Sequence, residues 1–301
     1  MIFIVIPVFN RKEFTYKCLK SLFRQTCKNY KNIVIDDGST DATSHLIAKE
    51  FPEVILLKGD GNLWWAGATN IGIRHVFNKM NVHESEDYVL TLNNDLEVPE
   101  QYLESLVRNA SIYTRTVLGS VSVDITNPEY MDFCGIKWNE FTGKYHSKAK
   151  NYNYSYEEFR DKEKIVDSDM LPGRGTLIPI SVFNEIGVFD SLNFPQYASD
   201  EDFTLRAKRN GWNLVIPSDV YLKSHIAQTG IDTSNIQFNF KYLKDLFFSI
   251  RSPLNLKIRY RFALKNTRLK ILYFLIGLAR ISLSLMQAMV TQNIKKLKSA
   301  K

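Results

Sequence analysis

Two short stretches deliver carboxylates straight after apolar runs: VIDDGST at 34–40 and LTLNNDLEVP at 90–99. In the first, Asp36 and Asp37 are adjacent, and their mutual repulsion must be offset by a ligand's donors or by a cation. A carboxylate there can accept the N3–H of a uracil or thymine base and the hydroxyls of a ribose. The plainer alternative is a capped turn, with Gly38 permitting the bend and Ser39 or Thr40 capping the next helix. In the second stretch one carboxylate, Asp95, follows Asn93 and Asn94. A single carboxylate beside two diphosphate oxygens can hold Mg2+ or Mn2+, since such ions keep waters and complete their shell from substrate phosphates. An Asx-turn ahead of Pro99 is the alternative here.

These residues need a scaffold, and the apolar pattern supplies one. IFIVIPV (2–8), NIVIDD (32–37), VILLK (54–58), YVLTLNND (88–95) and VLGSVSV (117–123) read as strands. Amphipathic segments between them, from Lys12 to Gln25, Asp41 to Glu50, on to Asn78, and Glu100 to Thr114, read as helices. Alternation of this kind predicts a parallel α/β sheet that binds ligands at the carboxyl ends of its strands. Both acidic stretches stand at such ends. Residues 139–165, rich in Tyr, Lys and Asn, are expected to form a long loop or a partly ordered insertion. GRGTLIPISVFNEIGVFD (173–190) predicts a strand and a short helix ending near Gly187. SDEDFTLRAKRNGW (199–212) has the acidic start and basic end of a helix, and LVIPSDVYLKSH (214–225) reads as a strand.

The chain has 301 residues, 45% of them hydrophobic, enough for a sizeable core in one or two domains. Three cysteines, Cys18, Cys27 and Cys134, lack metal-ligand spacing and read as reduced thiols in a cytoplasmic protein. The apolar start has no basic segment before it and reads as a first core strand rather than a signal peptide. Charge is uneven. Residues 251–301 carry 12 Lys or Arg and no acid, so the net +7 belongs to this tail while the body is mildly acidic. The boundary is expected at 230, with a helical tail over 231–301. In ILYFLIGLARISLSLMQAMVTQ the positions Tyr273, Gly277, Arg280, Ser284, Gln287 and Thr291 form one weakly polar stripe. That pattern favours a helix lying in a membrane interface over one packed on the body or on a second copy as a homodimer, or one spanning the bilayer.

IPVFNRKEF, VIDDGSTD, LNNDLEVP, PGRGTLIPISVFNEIGVFD and SDEDFTLRAKRNGW occur in this order over residues 1–225. Together they resemble the inverting nucleotide-sugar glycosyltransferases of family 2, which have the GT-A fold, a mostly parallel Rossmann-like sheet flanked by helices. The resemblance implies that Asp37 contacts the nucleobase, that Asp36 lies near the ribose or orders the turn, and that Pro7 and Asn10 line the nucleoside pocket. It implies metal ligation by Asp95, with Asn93 and Asn94 near the sugar or ribose. Asn93 stands where the family usually has Asp, which removes one charge from the metal site. Asp200 takes the position of the catalytic base, Ser199 replaces its usual acidic neighbour, and Asp202 holds the second acidic position. A helix start that is acidic for dipole reasons alone is the alternative. His225 is implied as a second metal ligand, against a purely structural imidazole. Gly67, Asn70 and Gly72 match a Gly-rich turn near the donor. Trp64 and Trp65 are candidates to stack on sugar or to pack in the core, and Arg174 to meet diphosphate or acceptor.

The expected activity is sugar transfer from a UDP- or dTDP-linked donor to a glycan or lipid-linked glycan, with Mg2+ or Mn2+. Similarity to bacterial rhamnosyl- and galactofuranosyltransferases suggests polysaccharide, lipopolysaccharide or O-antigen synthesis, peripherally at the inner face of the membrane. A non-catalytic nucleotide-binding relative is the alternative. Nucleic-acid binding is disfavoured by the apolar and aromatic content of the basic tail.

Overall fold

A computed structural model describes residues 1–152, 155–225 and 240–299. These form two compact units, one of residues 1–137 and 146–225, the other of residues 138–145 and 240–299. The strands are β1 (Ile2–Val8), β2 (Tyr30–Asp36), β3 (Ile55–Lys58), β4 (Tyr88–Thr91), β5 (Leu96–Glu97), β6 (Thr116–Leu118) and β7 (Val121–Asp124). They continue with β8 (Met131–Phe133), β9 (Ile136–Trp138), β10 (Tyr145–Ser147), β11 (Ile165–Asp167), β12 (Thr176–Pro179), β13 (Asn213–Pro217) and β14 (Tyr221–Ser224). The first unit's helices are α1 (Lys12–Phe23), α2 (Thr43–Glu50), α3 (Trp64–Lys79), α4 (Tyr102–Ile112), α5 (Tyr156–Lys162), α6 (Ile180–Ile186) and α7 (Ser199–Arg209). The second unit's are α8 (Phe240–Phe248), α9 (Leu256–Asn266) and α10 (Lys270–Ser299).

Strand order in the large sheet is β11-β13-β6-β12-β4-β1-β2-β3. The four strands β1 to β4 run parallel, and β12 runs antiparallel to β4 and β6. Period-two alternation sorts side chains to the two faces. Phe3, Val5, Ile33 and Ile35 pack with α3 residues such as Ala66, Ile73 and Val76. Ile2, Ile4, Ile6 and Val34 pack with Leu19 and Leu22 of α1, Ile47 of α2 and Leu103 of α4. Both faces are thus covered by helices, which is why β1 reads as an unbroken apolar run rather than an alternating one. The cysteines are all free thiols.

Two stretches expected as single strands are each divided between sheets. VLGSVSV breaks at Gly119 and Ser120 into β6 and β7, and LVIPSDVYLKSH breaks after Pro217 into β13 and β14. β6 pairs parallel with β13 in the large sheet, and β7 pairs parallel with β14 in a second sheet of order β5-β14-β7-β8. The two segments therefore change sheets together and keep each other's backbone satisfied. Residues 139–165 are not a plain loop: they include β10, a 3-10 turn and α5. Ser155 caps α5 by accepting from the Glu158 N–H at 3.3 Å, a Ser-x-x-Glu signature, and Phe159 is fully buried. The expected boundary at 230 lies outside the described residues, as does the start of the tail.

Candidate active site

The carboxyl edge of β1 and β2 is laced together by short polar side chains. Asn10 and Arg11 both have left-handed backbones, with φ of 57° and 62°. The Asn10 amide N–H donates to Ser39 Oγ at 2.7 Å, and its Oδ1 accepts from the Thr40 N–H at 2.9 Å. Asp41 Oδ2 accepts from the Lys12 N–H at 2.9 Å and so caps α1. Asp36 Oδ1 accepts from the Ser39 N–H at 2.8 Å, and its other oxygen accepts from the Ser44 hydroxyl. Asp37 is engaged more fully still: it accepts from the N–H groups of Gly61 (2.8 Å), Leu63 (2.9 Å) and Trp64 (3.1 Å). Both carboxylates are buried, and Asp37 ties the β2 turn to the start of α3. Asp36 thus orders the turn, one of the two roles expected of it. Asp37 is bound to the following loop, a departure from a carboxylate left open to a base. Pro7 lies in β1 beside Ile35.

The second half of the site is assembled from distant segments. The register of β14 against β5 pairs Lys223 with Glu97 and Ser224 with Leu96, which brings His225, just past β14, alongside β5. The Asp95 carboxylate accepts from Arg11 Nη1 at 2.9 Å, while His225 Nε2 lies 3.3 Å from Glu97 Oε1 with its ring edge-on to Phe14. Arg174 bonds Asp132 at 2.5 Å and Ser224 Oγ at 3.3 Å. Next to it, the Gly173 N–H donates to Asp200 Oδ2 at 2.8 Å. A Cβ on Gly173 would lie 2.1 Å from the Trp65 ring, so only glycine allows this approach. Trp65 in turn donates from Nε1 to Asn93 Oδ1 at 2.9 Å and packs edge-on against Phe189. Asp200, Gly173, Arg174, Ser224 and the β5 strand beside Asp95 form one continuous set of contacts. Burial pushes the Asp200 carboxyl above its usual range, although the N–H groups of Gly173 and Glu201 and the Arg174 charge pull it back.

Three candidates point elsewhere. Asn70 is buried in mid-helix, donating to Phe189 O at 2.8 Å and accepting from the Phe189 N–H at 3.1 Å, so its amide is consumed by holding a loop. Gly67, Asn70 and Gly72 belong to α3 itself, not to a turn. Gly72 allows the helix to sit directly on the sheet, since a Cβ there would lie 2.6 Å from Val5 Cγ1. Asn94 turns inward and donates to Thr15 Oγ1 at 2.9 Å. Asp202 is 1% exposed and paired with Arg206 at 2.9 Å, whose guanidinium also caps the carbonyls of Ile186 and Val188. In each case a short polar side chain met a nearer internal partner than any ligand. Trp64 sits at the first position of α3 with φ 57°, its N–H on Asp37.

Arg11 was missed in the sequence, although it directly follows Asn10 and is the side chain that meets Asp95. Among the described residues no group of three His, Cys, Asp or Glu converges to hold a cation. Asp95 and His225 flank the paired ends of β5 and β14 and offer an oxygen and an imidazole, a set that would suit a cation carried in by a diphosphate rather than one held by protein alone.

The family model described as glycosyl transferase family 2 matches residues 3–162, and the chain belongs to that family. Streptococcus pneumoniae glycosyltransferase GlyA is 29% identical over 168 residues, 55% of this chain but 21% of GlyA. A glycosyltransferase of Rickettsia typhi is 26% identical over 76% of this chain and 65% of its own length. The low-salt glycan biosynthesis hexosyltransferase Agl10 of Haloferax volcanii is 22% identical over 65% of this chain and 59% of its own. Among solved structures, GalNAc-T7 with UDP, GalNAc and Mn2+ superposes with TM-score 0.56 at 13% identity, over 74% of this chain and 43% of that one. Staphylococcus aureus TarS gives 0.51 at 14% identity, over 74% and 36%. The fold is GT-A. The chain spans about a fifth of GlyA and less than half of either solved structure.

Proposed function

We propose that this protein transfers a sugar, with inversion, from a nucleoside diphosphate to an acceptor hydroxyl, and that Asp200 is the base. A sugar hydroxyl does not ionise at neutral pH, so Asp200 accepts its proton as the oxygen bonds to the anomeric carbon. The bond from that carbon to the diphosphate breaks in the same step, and the diphosphate leaves with the electron pair. The turn stitched by Asn10, Ser39, Asp36 and Asp37 receives the nucleoside, alongside Pro7. Asp95 and His225 would hold a divalent cation, which supplies charge neutralisation for the leaving diphosphate. Arg11, now bonded to Asp95, would have to give way for Asp95 to serve such a cation, and Arg174 stands near enough to Asp200 to meet the acceptor or the diphosphate.

The observation that carries this reading is the contact path from Asp200 through Gly173 and Arg174 to Ser224, beside the Asp95 strand. The acceptor is proposed to be a lipid-linked glycan in bacterial surface polysaccharide synthesis, reached at the inner face of the membrane. Rhamnosyl transfer and UDP or dTDP as the nucleotide are the finer assignments. The test is thermal stabilisation by UDP-, dTDP- and GDP-sugars with and without Mn2+, followed by transfer to lipid-linked acceptors. Stabilisation and transfer by none of them overturns the reading.

A further inference from the structure

Helix α10 turns its apolar side outward. Over Lys270–Ala288 its mean hydropathy is 1.6 and 6% of the stretch is buried. Ile271, Leu272, Leu275, Leu283, Met286 and Val290 are each between 51% and 60% exposed. At about 100° per residue these six fall within about 120° of arc, one continuous stripe. The weakly polar side begins by facing inward. Tyr273 is buried and accepts from Trp138 Nε1 at 3.2 Å, and Arg280 donates to the Thr142 carbonyl. A Cβ on Gly143 would lie 2.7 Å from the Tyr273 ring, so the 138–145 turn is seated closely on this side of the helix. A water-soluble helix would bury the opposite stripe.

Charge selects what covers the apolar stripe. From residue 251 onward there are 12 basic residues and no acid, and Lys257, Lys265, Arg268 and Lys270 are exposed around the start of the helix. Two copies meeting through this face would bring like charges together. An anionic lipid surface would attract them, and an interfacial helix buries its apolar stripe at the acyl boundary. Spanning would leave the 138–145 turn and the polar groups at Tyr273 and Arg280 in hydrocarbon.

The geometry points to α10 as an in-plane membrane anchor that lays the Ile271–Val290 stripe into an anionic bilayer surface while Tyr273 and Arg280 hold the 138–145 turn. The anchor shares with the proposed function a lipid-linked acceptor, but vesicle binding is measured without sugar transfer, so either can fail alone. The experiment is flotation of the full chain with vesicles of phosphatidylcholine alone or with about a third phosphatidylglycerol, an amount that sets a negative surface potential. Binding is expected with the anionic vesicles, at least about tenfold weaker with neutral ones, and weakened by salt. Leu275→Gln, Leu283→Gln and Met286→Gln together should abolish binding with melting unchanged, as should Lys257→Glu with Lys270→Glu. A tryptophan added by Leu275→Trp or by Met286→Trp, read as the difference from the parent with its four native tryptophans, should be quenched equally by brominated lipids, since both lie at one depth. No flotation, equal flotation with neutral vesicles, or unequal quenching overturns the inference. So does a dimer in lipid-free solution that the three Gln substitutions dissociate.

Discussion

The two halves of the site differ in how their carboxylates are held. On the β1–β2 side, Asp36 and Asp37 are buried and accept hydrogen bonds from backbone N–H groups and from the Ser44 hydroxyl. On the β4–β14 side, Asp95 rests on one arginine that is 45% exposed and His225 on one glutamate, both replaceable by a ligand. The first side is fixed largely by its own backbone; the second is held by single side-chain contacts. Backbone donors hold a carboxylate with the rigidity of the fold, whereas a long side chain half in solvent can rotate away.

The largest effect should come from Asp200→Asn, which removes the proton acceptor while keeping a similar shape. Turnover should fall by a factor on the order of 1,000, with donor binding by calorimetry nearly unchanged. Wild-type transfer by this variant would move the base elsewhere. Asp37→Ala should break the contrast from the other side, leaving three N–H groups without their acceptor. A loss of about 3 kcal/mol is expected in urea unfolding, whereas Asp95→Asn should change stability by less than about 1 kcal/mol. Equal effects would mean that both carboxylates are structural.

A smaller, pH-dependent effect follows from Asp200. Its folded carboxyl titrates above the ordinary carboxylate range because burial disfavours the charged form. The base works only when ionised, so the acidic limb of kcat/KM should lie above the usual carboxylate pKa and activity should rise with pH through it. A limb at or below that range would contradict the burial. Smallest of all, Arg11→Ala should free Asp95 and raise Mn2+ affinity several-fold, by an electron spin resonance titration of the protein without donor. With Asp95 buried but Arg11 half in solvent, the pair is worth about 1 kcal/mol, which sets that scale. Unchanged affinity would show that the pair does not compete with the cation.

Whatever depends on neighbours along the chain was legible in the residues alone. Unbroken apolar runs marked β1 to β4, the acid-to-base gradient of residues 199–209 marked α7, and Gly38 with Ser39 marked the turn that carries Asp36 and Asp37. It also exposed the basic, acid-free tail. What depends on partners far apart in the chain emerged from the folded arrangement. The β14 register brings His225 to Glu97, 128 residues away in number. Asn70 finds Phe189 and Asn94 finds Thr15, so two amides that looked available from their motif positions are used internally. Two apparent strands, LVIPSDVYLKSH and VLGSVSV, each divide because a parallel partner divides at the same place. Local pattern sets which faces a segment has; which of those faces meets protein is fixed only when the other segments arrive, as the outward apolar side of α10 makes plain.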